Sequence, residues 1–398
     1  MHDVRTDPVA LNPYEMGFAE NPYPTYKRLR DEAPVFHNRD LNFWALSRFD
    51  DVSAAHRDHL TFSSAGGVTI EGMDAYAPLL IVKDMPEHRW HKALVTKVFS
   101  PARMGALEPF IRNLVVSLLE AAAQEDEFDF VQQFALQVPL QVISELIGIP
   151  TEYRAEIHHL TNKMLFRDKN SSMEDIGATM EAANTIYRGL VRERRAKPRE
   201  DPISYLIQSE IEDDDGIIRR LTDDEMAFRF GELAAAGHET VAKTIPNGAM
   251  AFQSFPSERE KLLNNPGLIG NTIEEVLRFD PPSQLQGRTT TRDVELHGVT
   301  IPKGSKTMLL TGAAMHDERK FATPDIFDIS RKPHAESIFF GLGIHRCLGI
   351  HLAKLELRIV FEELFSRYPQ FEVDTSRATR AILSNVRGVA SLPARLRS

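Results

Sequence analysis

The sequence predicts a mainly α-helical fold with a smaller β portion, organised as a single domain over residues 1–398. Three observations carry that expectation. From Pro86 onward, apolar residues recur at spacings of three and four, the period of a helix with one buried face. One stretch, "DVELHGVTIPKGSKTMLLT" (293–311), instead alternates apolar and polar residues around two turn signals. No low-complexity linker divides the chain, and only the first ~15 residues are expected to be loosely ordered.

The elements follow in order. "NPYPTYKRLRDEAPVF" reads as a helix opened by Pro24 and closed before Pro34. "FWALSRFDDV" reads as a short strand and then a helix start. Residues 64–77 read as a loop. "PARMGALEPFIRNLVVSLLEAAAQ", "VPLQVISELIGIP" and "TMEAANTIYRGLVRERRAKP" are amphipathic helices, and "EDDDGIIRR" is an acidic turn at Gly216. The longest helical candidate spans 221–252. Thr222 and Glu225 form a capping box at its start, and Gly237 and Pro246 are expected to interrupt it. "GLIGNTIEEVLRF" is a shorter helix, and "LGIHLAKLELRIVFEELFSRYP" a strong one.

Composition narrows function. The chain is 42% hydrophobic and 26% charged, with a formal net charge of −10. That balance argues against a nucleic-acid partner. No apolar run approaches the ~20 residues of a spanning helix, so no membrane anchor is expected, and the reading is a cytoplasmic monomer. A single cysteine, Cys347, rules out an internal disulfide.

That cysteine lies in "FFGLGIHRCLG" (339–349), after two glycines and just before a helical pattern. A thiolate there would be stabilised by unpaired N–H groups at the helix start. A dinucleotide-binding loop fails, because Arg346 stands where a third glycine is needed. A zinc-protease motif at His238 fails, because Ala242 stands where its second histidine belongs. A buried inert thiol, a cysteine nucleophile and a thiolate ligand to haem iron remain open.

The run from Phe340 to Gly349 resembles the haem-binding signature of cytochromes P450, with every position filled. Three further motifs are similar to that family's and fall in its order. These are "AAAGHET" (234–240), Glu275-x-x-Arg278 and "DMPEHRWHK" (84–92). The likeness is closest to bacterial, ferredoxin-dependent members and implies the cytochrome P450 fold. It implies haem b (iron protoporphyrin IX) between the long distal helix and the cysteine loop. Cys347 would be the axial iron ligand. His88, Lys92, Arg288 and His345 would contact the propionates. Glu239 and Thr240 would be the acid–alcohol pair that supports proton delivery during dioxygen activation, with Gly237 opening the helix. Glu275 and Arg278 would form a buried structural pair. The family's usual third arginine is replaced by Ile326, with Arg331 as the candidate substitute.

The resemblance also implies a substrate pocket. Glu232, Leu233, Ala236, Gly237 and Thr240 share one helix face. Leu285, Gln286, Val386, Asn385 and the loop 68–82 would supply other walls. Glu232 has two competing readings: an ion pair with Arg229, or a contact to a polar group of the substrate. The implied activity is a haem-thiolate monooxygenase that inserts one oxygen atom of O2 into a mainly hydrophobic small molecule. Two electrons would come from a ferredoxin and its reductase, docked near Cys347 where Arg346 and Arg112 supply positive charge. The rivals are a peroxide-using enzyme of the same fold, disfavoured by Glu239–Thr240, and a haem-binding sensor or carrier without turnover.

Overall fold

In the computed structural model, residues 9–72, 78–96, 98–165, 173–381 and 385–397 are described. The fold is organised around one helix, Asp223–Ser254. Its start is the predicted capping box. The Glu225 N–H donates to the Thr222 hydroxyl (3.2 Å), and the Thr222 N–H donates to the Glu225 carboxylate (2.9 Å). The helix does not break where the sequence suggested. It runs unbroken through both Gly237 and Pro246.

Packing explains why. An interior glycine costs a helix about 1 kcal/mol and a proline about 3 kcal/mol, but every residue from Val241 to Ala249 is buried, and burying one large aliphatic side chain returns about 1.5–3 kcal/mol. Tertiary contact thus outweighs local propensity. The glycines mark close approaches rather than breaks. A Cβ on Gly237 would lie 2.8 Å from Ile143 Cδ1 in the helix Gln137–Ile147. A Cβ on Gly248 would lie 2.5 Å from the Phe361 ring in the helix Ile350–Arg367. Met173–Ala196 and Ile269–Phe279 also pack on the central helix.

The β portion lies to one side. Its main sheet has five strands in the order Val35–Asn38, Phe43–Leu46, Lys306–Leu309, Gln286–Thr290 and Phe62–Ser63. All neighbours are antiparallel except Phe43–Leu46 with Lys306–Leu309. A second apolar cluster sits beside this sheet and includes Leu11, Tyr26, Leu29, Phe43, Leu285 and Met308. Leu11 is 1% exposed, and its carbonyl accepts from Asn38 Nδ2 at 2.7 Å. The expected looseness of the N-terminus therefore does not extend to residues 9–15.

Most expected helices are present, among them Tyr23–Glu32, Phe49–Arg57, Glu108–Ala122 and Ile350–Arg367. The acidic turn closes a small hairpin of Ile211–Glu212 with Ile218–Arg219, with Gly216 at φ +76°. The π-helical turn Phe130–Ala135, capped by Asp129, has no counterpart in the sequence reading. Among the described residues, no helix is long and apolar enough to cross a membrane.

Gly248→Ala tests the central packing. The added methyl has no room against Phe361 and Val276. Overpacking of this kind costs about 1–3 kcal/mol, so the urea midpoint should fall at unchanged slope.

Candidate active site

The cysteine loop is built by two strained-for-others glycines. Gly341 and Gly343 have φ of +65° and +67°, backbone that L side chains rarely adopt. A Cβ on Gly343 would also lie 2.6 Å from the His56 carbonyl oxygen. The loop thus seats on the end of the helix Phe49–Arg57. The Cys347 N–H donates to the Phe340 carbonyl (2.9 Å) and closes the loop. Cys347 stands just ahead of the helix Ile350–Arg367. Burial pushes its thiol up, while the Gly349 N–H and the charge of Lys92 pull it down. Cys347 has accessible surface although protein surrounds it. That combination means the residue faces an internal space.

Beside it lies a buried cluster of basic residues. His88 and Arg288 are each 3% exposed. The His88 and His345 rings meet edge to face, centroids 4.4 Å apart. Burial, then Arg288 and His88, push His345 down to about 2. Burial, then Lys92, push His88 down to about 4. Burial lowers Arg288 to about 10, with Asp84 opposing. His345 Nε2 is buried without a hydrogen-bond partner. Asp84, the carboxylate acting on this corner, is itself taken up by the Ser63 hydroxyl and the Ser64 N–H. Lys92 donates to the carbonyls of Ile344 and Arg346, so its contact here is to the cysteine loop itself.

The central helix has an opening of its own. Between Met226 and Ala249 only Ala236 is exposed. A lone exposed small residue inside a buried stretch marks an interior space beside it. Glu239 and Thr240 are half-buried on the following turn. The other expected pocket residues differ in their surroundings. Gly237 meets Ile143. Leu285 is 1% exposed in the sheet-side core, because it precedes a strand whose inward face packs there. Leu233 is buried in the main core at 7% exposure. Gln286 is half-buried at the head of its strand, and Val386 bridges to Ser283. Within the expected walls, residues 73–77 and 383–384 lie outside the described residues.

Glu232 resolves in favour of the ion pair and adds a contact. It pairs with Arg229, whose side chain is 1% exposed. Its two carboxylate oxygens also accept the N–H groups of Leu80 (2.9 Å) and Ile81 (3.0 Å). Those are orphan donors at the start of the short helical turn Leu80–Val82. Arg229 continues to His91 Nδ1 at 3.3 Å. A carboxylate so occupied is not presented to a ligand. The sequence shows the i,i+3 spacing but not the loop that reaches it.

Glu275 and Arg278 form a two-bond pair (2.7 and 2.8 Å), both nearly fully buried. Arg331 Nε reaches Glu275 at 3.2 Å, and both arginines donate to the Ile326 carbonyl. The third arginine therefore arrives five residues later than the family pattern, while Ile326 turns its side chain out at 49% exposure. Arg112 is not a spare positive charge, since it bonds Glu108, Glu362 and Glu363, which push it up.

The comparisons decide the family. The cytochrome P450 model matches residues 257–396. Cytochrome P450 123 of Mycobacterium tuberculosis is 38% identical over 97% of this chain and 96% of its own length. This chain belongs to the cytochrome P450 family. The vitamin D(3) 25-hydroxylase of Pseudonocardia autotrophica is 34% identical over 94% of both chains. A mutant of P450 EryK in complex with erythromycin B superposes with TM-score 0.86 at 31% identity, covering 95% of this chain and 96% of that one. The P450 is accordingly a haem enzyme and a monooxygenase acting on small molecules.

The residues fit that cofactor. A buried cluster of bases with an orphaned His345 Nε2 suits a group that brings carboxylates. A cysteine facing an interior space suits a metal at its centre. Two positions escaped the sequence reading. His56, under the loop glycines, carries no motif. Lys243 could have been found as a lysine on the same helix stripe as Glu239.

Three outcomes test the site. Glu275→Gln leaves Arg278 buried without its counter-charge and should cost about 3–5 kcal/mol, read as a lower unfolding midpoint together with haem loss. Gly343→Ala should lower haem occupancy, while far-ultraviolet circular dichroism stays unchanged. Glu232→Leu removes two acceptors and a counter-charge, so amide exchange at Leu80 and Ile81 should accelerate well beyond that at neighbouring helices.

Proposed function

We propose that this P450 inserts one oxygen atom of O2 into a mainly hydrophobic small molecule, using Cys347 as the thiolate ligand of the haem iron. Two electrons come from a ferredoxin and its reductase. The observation that carries the reading is a cysteine on an internal space, beside a buried cluster of basic side chains in which His345 Nε2 has no hydrogen-bond partner.

Bound haem supplies the reductive activation of dioxygen; the chain supplies its setting. Gly349 donates its N–H to the Cys347 sulfur and, with Lys92, favours the thiolate against the cost of burial. Lys92 fixes the loop that carries the sulfur. Arg288, His345 and His88 take the propionate carboxylates. Glu239 holds and releases a proton at its carboxyl, with the Thr240 hydroxyl beside it. Ala236 leaves room for substrate because its side chain stops at Cβ. The relatives' printed ligands point the same way on substrate class. They include erythromycin B, corticosterone and a hexadec-9Z-enoic acid on acyl carrier protein. Donor docking falls on the face of Arg346, which is exposed and lies between His345 and Cys347 in the chain. The enzyme works as a cytoplasmic monomer.

The direct test is Cys347→Ser. It should abolish the thiolate-type spectrum of the reduced CO complex and all turnover, in a protein that still folds. Retention of that spectrum would falsify the ligand assignment. A screen of hydrophobic compounds for a low- to high-spin shift then finds the substrate class. Arg346→Glu should slow reduction by an acidic ferredoxin and flatten its salt dependence; an unchanged rate and slope would remove the docking face.

A further inference from the structure

Lys243 is the only lysine of the central helix, and none of its side chain is exposed. Its stem lies against the C-terminal segment so closely that a Cβ on Gly388 would stand 2.5–2.9 Å from its Cδ, Cβ and Cγ. Its ammonium donates to the Val389 carbonyl at 3.2 Å. A buried ammonium calls for an opposite charge as well as a carbonyl.

Glu239 is placed to provide it. The two are four residues apart on one continuous helix, with the acid on the N-terminal side, the favoured order. Burial lowers Lys243, and the charge of Glu239 opposes that shift. Three described basic groups nearby are engaged elsewhere or neutral. Arg387, next to Gly388, is turned to Asp280 (2.9 Å). His238 is pushed down to about 3, mainly by burial, and His158 on the helix Thr151–Leu165 to about 4. Both are neutral near pH 7.

We propose that Lys243 is a positioning residue for the oxygenation reaction. Tethered to the C-terminal turn at Val389, it keeps Glu239 ionised and aimed between proton transfers. The proposal rests on the reading that Glu239 handles protons. Removing the ammonium leaves a half-buried carboxylate without its counter-charge, so the carboxyl's pKa rises. Gly388 matters for the same reason, because it is the gap through which the lysine stem passes.

The test uses the holoenzyme with 13C-labelled glutamate in its diamagnetic ferrous–CO form. The Glu239 carboxyl resonance is assigned by its loss in Glu239→Gln. Lys243→Met removes the charge. Lys243→Gln keeps a donor for Val389 and serves where the methionine variant folds poorly. In either variant the Glu239 titration should move up by about one pH unit or more, a tenfold change in its ionisation equilibrium. Lys243→Arg should restore it. In parallel, with a surrogate ferredoxin and reductase and no added substrate, peroxide formed per NADH consumed should rise several-fold in the charge-loss variants. An unmoved Glu239 titration in both overturns the proposal. If Glu239→Gln itself leaves the peroxide yield unchanged, the proton-handling reading falls instead, and the titration still reports whether the ion pair exists.

Discussion

Arg288, His88 and His345 share one buried corner, where burial and the charge of Arg288 keep His345 neutral, and the carboxylate that acts on Arg288, Asp84, is already held by the Ser63 hydroxyl and the Ser64 N–H. Taking a guanidinium such as that of Arg288 out of water, beside a carboxylate already engaged by other donors, is costly. The corner is therefore incomplete as protein alone. A cofactor that carries carboxylates would complete it, and haem held there would enter the electrostatic balance of the fold as well as the reaction. The cysteine loop depends on the same corner, since Lys92 spans from the edge of the cluster to the loop carbonyls.

Elsewhere the chain neutralises its buried cations itself, and each instance fixes an irregular segment. Arg278 is answered by Glu275, and with Arg331 it gathers the Ile326 carbonyl and the loop around it. Arg229 is answered by Glu232, whose oxygens also hold the start of the Leu80–Val82 turn. Charge burial here does less for net stability than for specificity of place, because each carboxylate has room for only one arrangement of donors.

The central helix joins these systems. It runs straight through a glycine and a proline because its neighbours bury it almost completely from Val241 to Ala249. The cost of Pro246 is local, while the return is spread over every contact along that length. Between Met226 and Ala249 its one exposed residue is Ala236, and Glu239, Thr240 and Lys243 sit within two turns of it.

Much was legible from sequence because it depends on residues close together in the chain. The capping box at Thr222, the glycine–cysteine spacing before Ile350 and the Glu275–Arg278 pair are local geometry, fixed by helix period or by a short loop. The family resemblance could use them for the same reason. What sequence left open depends on which distant element comes within reach. Arg331 reaches Glu275 across 56 positions, and Glu232 meets amides about 150 positions away. Gly237 lies against Ile143, and Leu285 packs in the sheet-side core. Helix periodicity says that a residue faces inward. Only the packed structure says what stands opposite, because that is settled by long-range closure of the chain and not by any spacing along it.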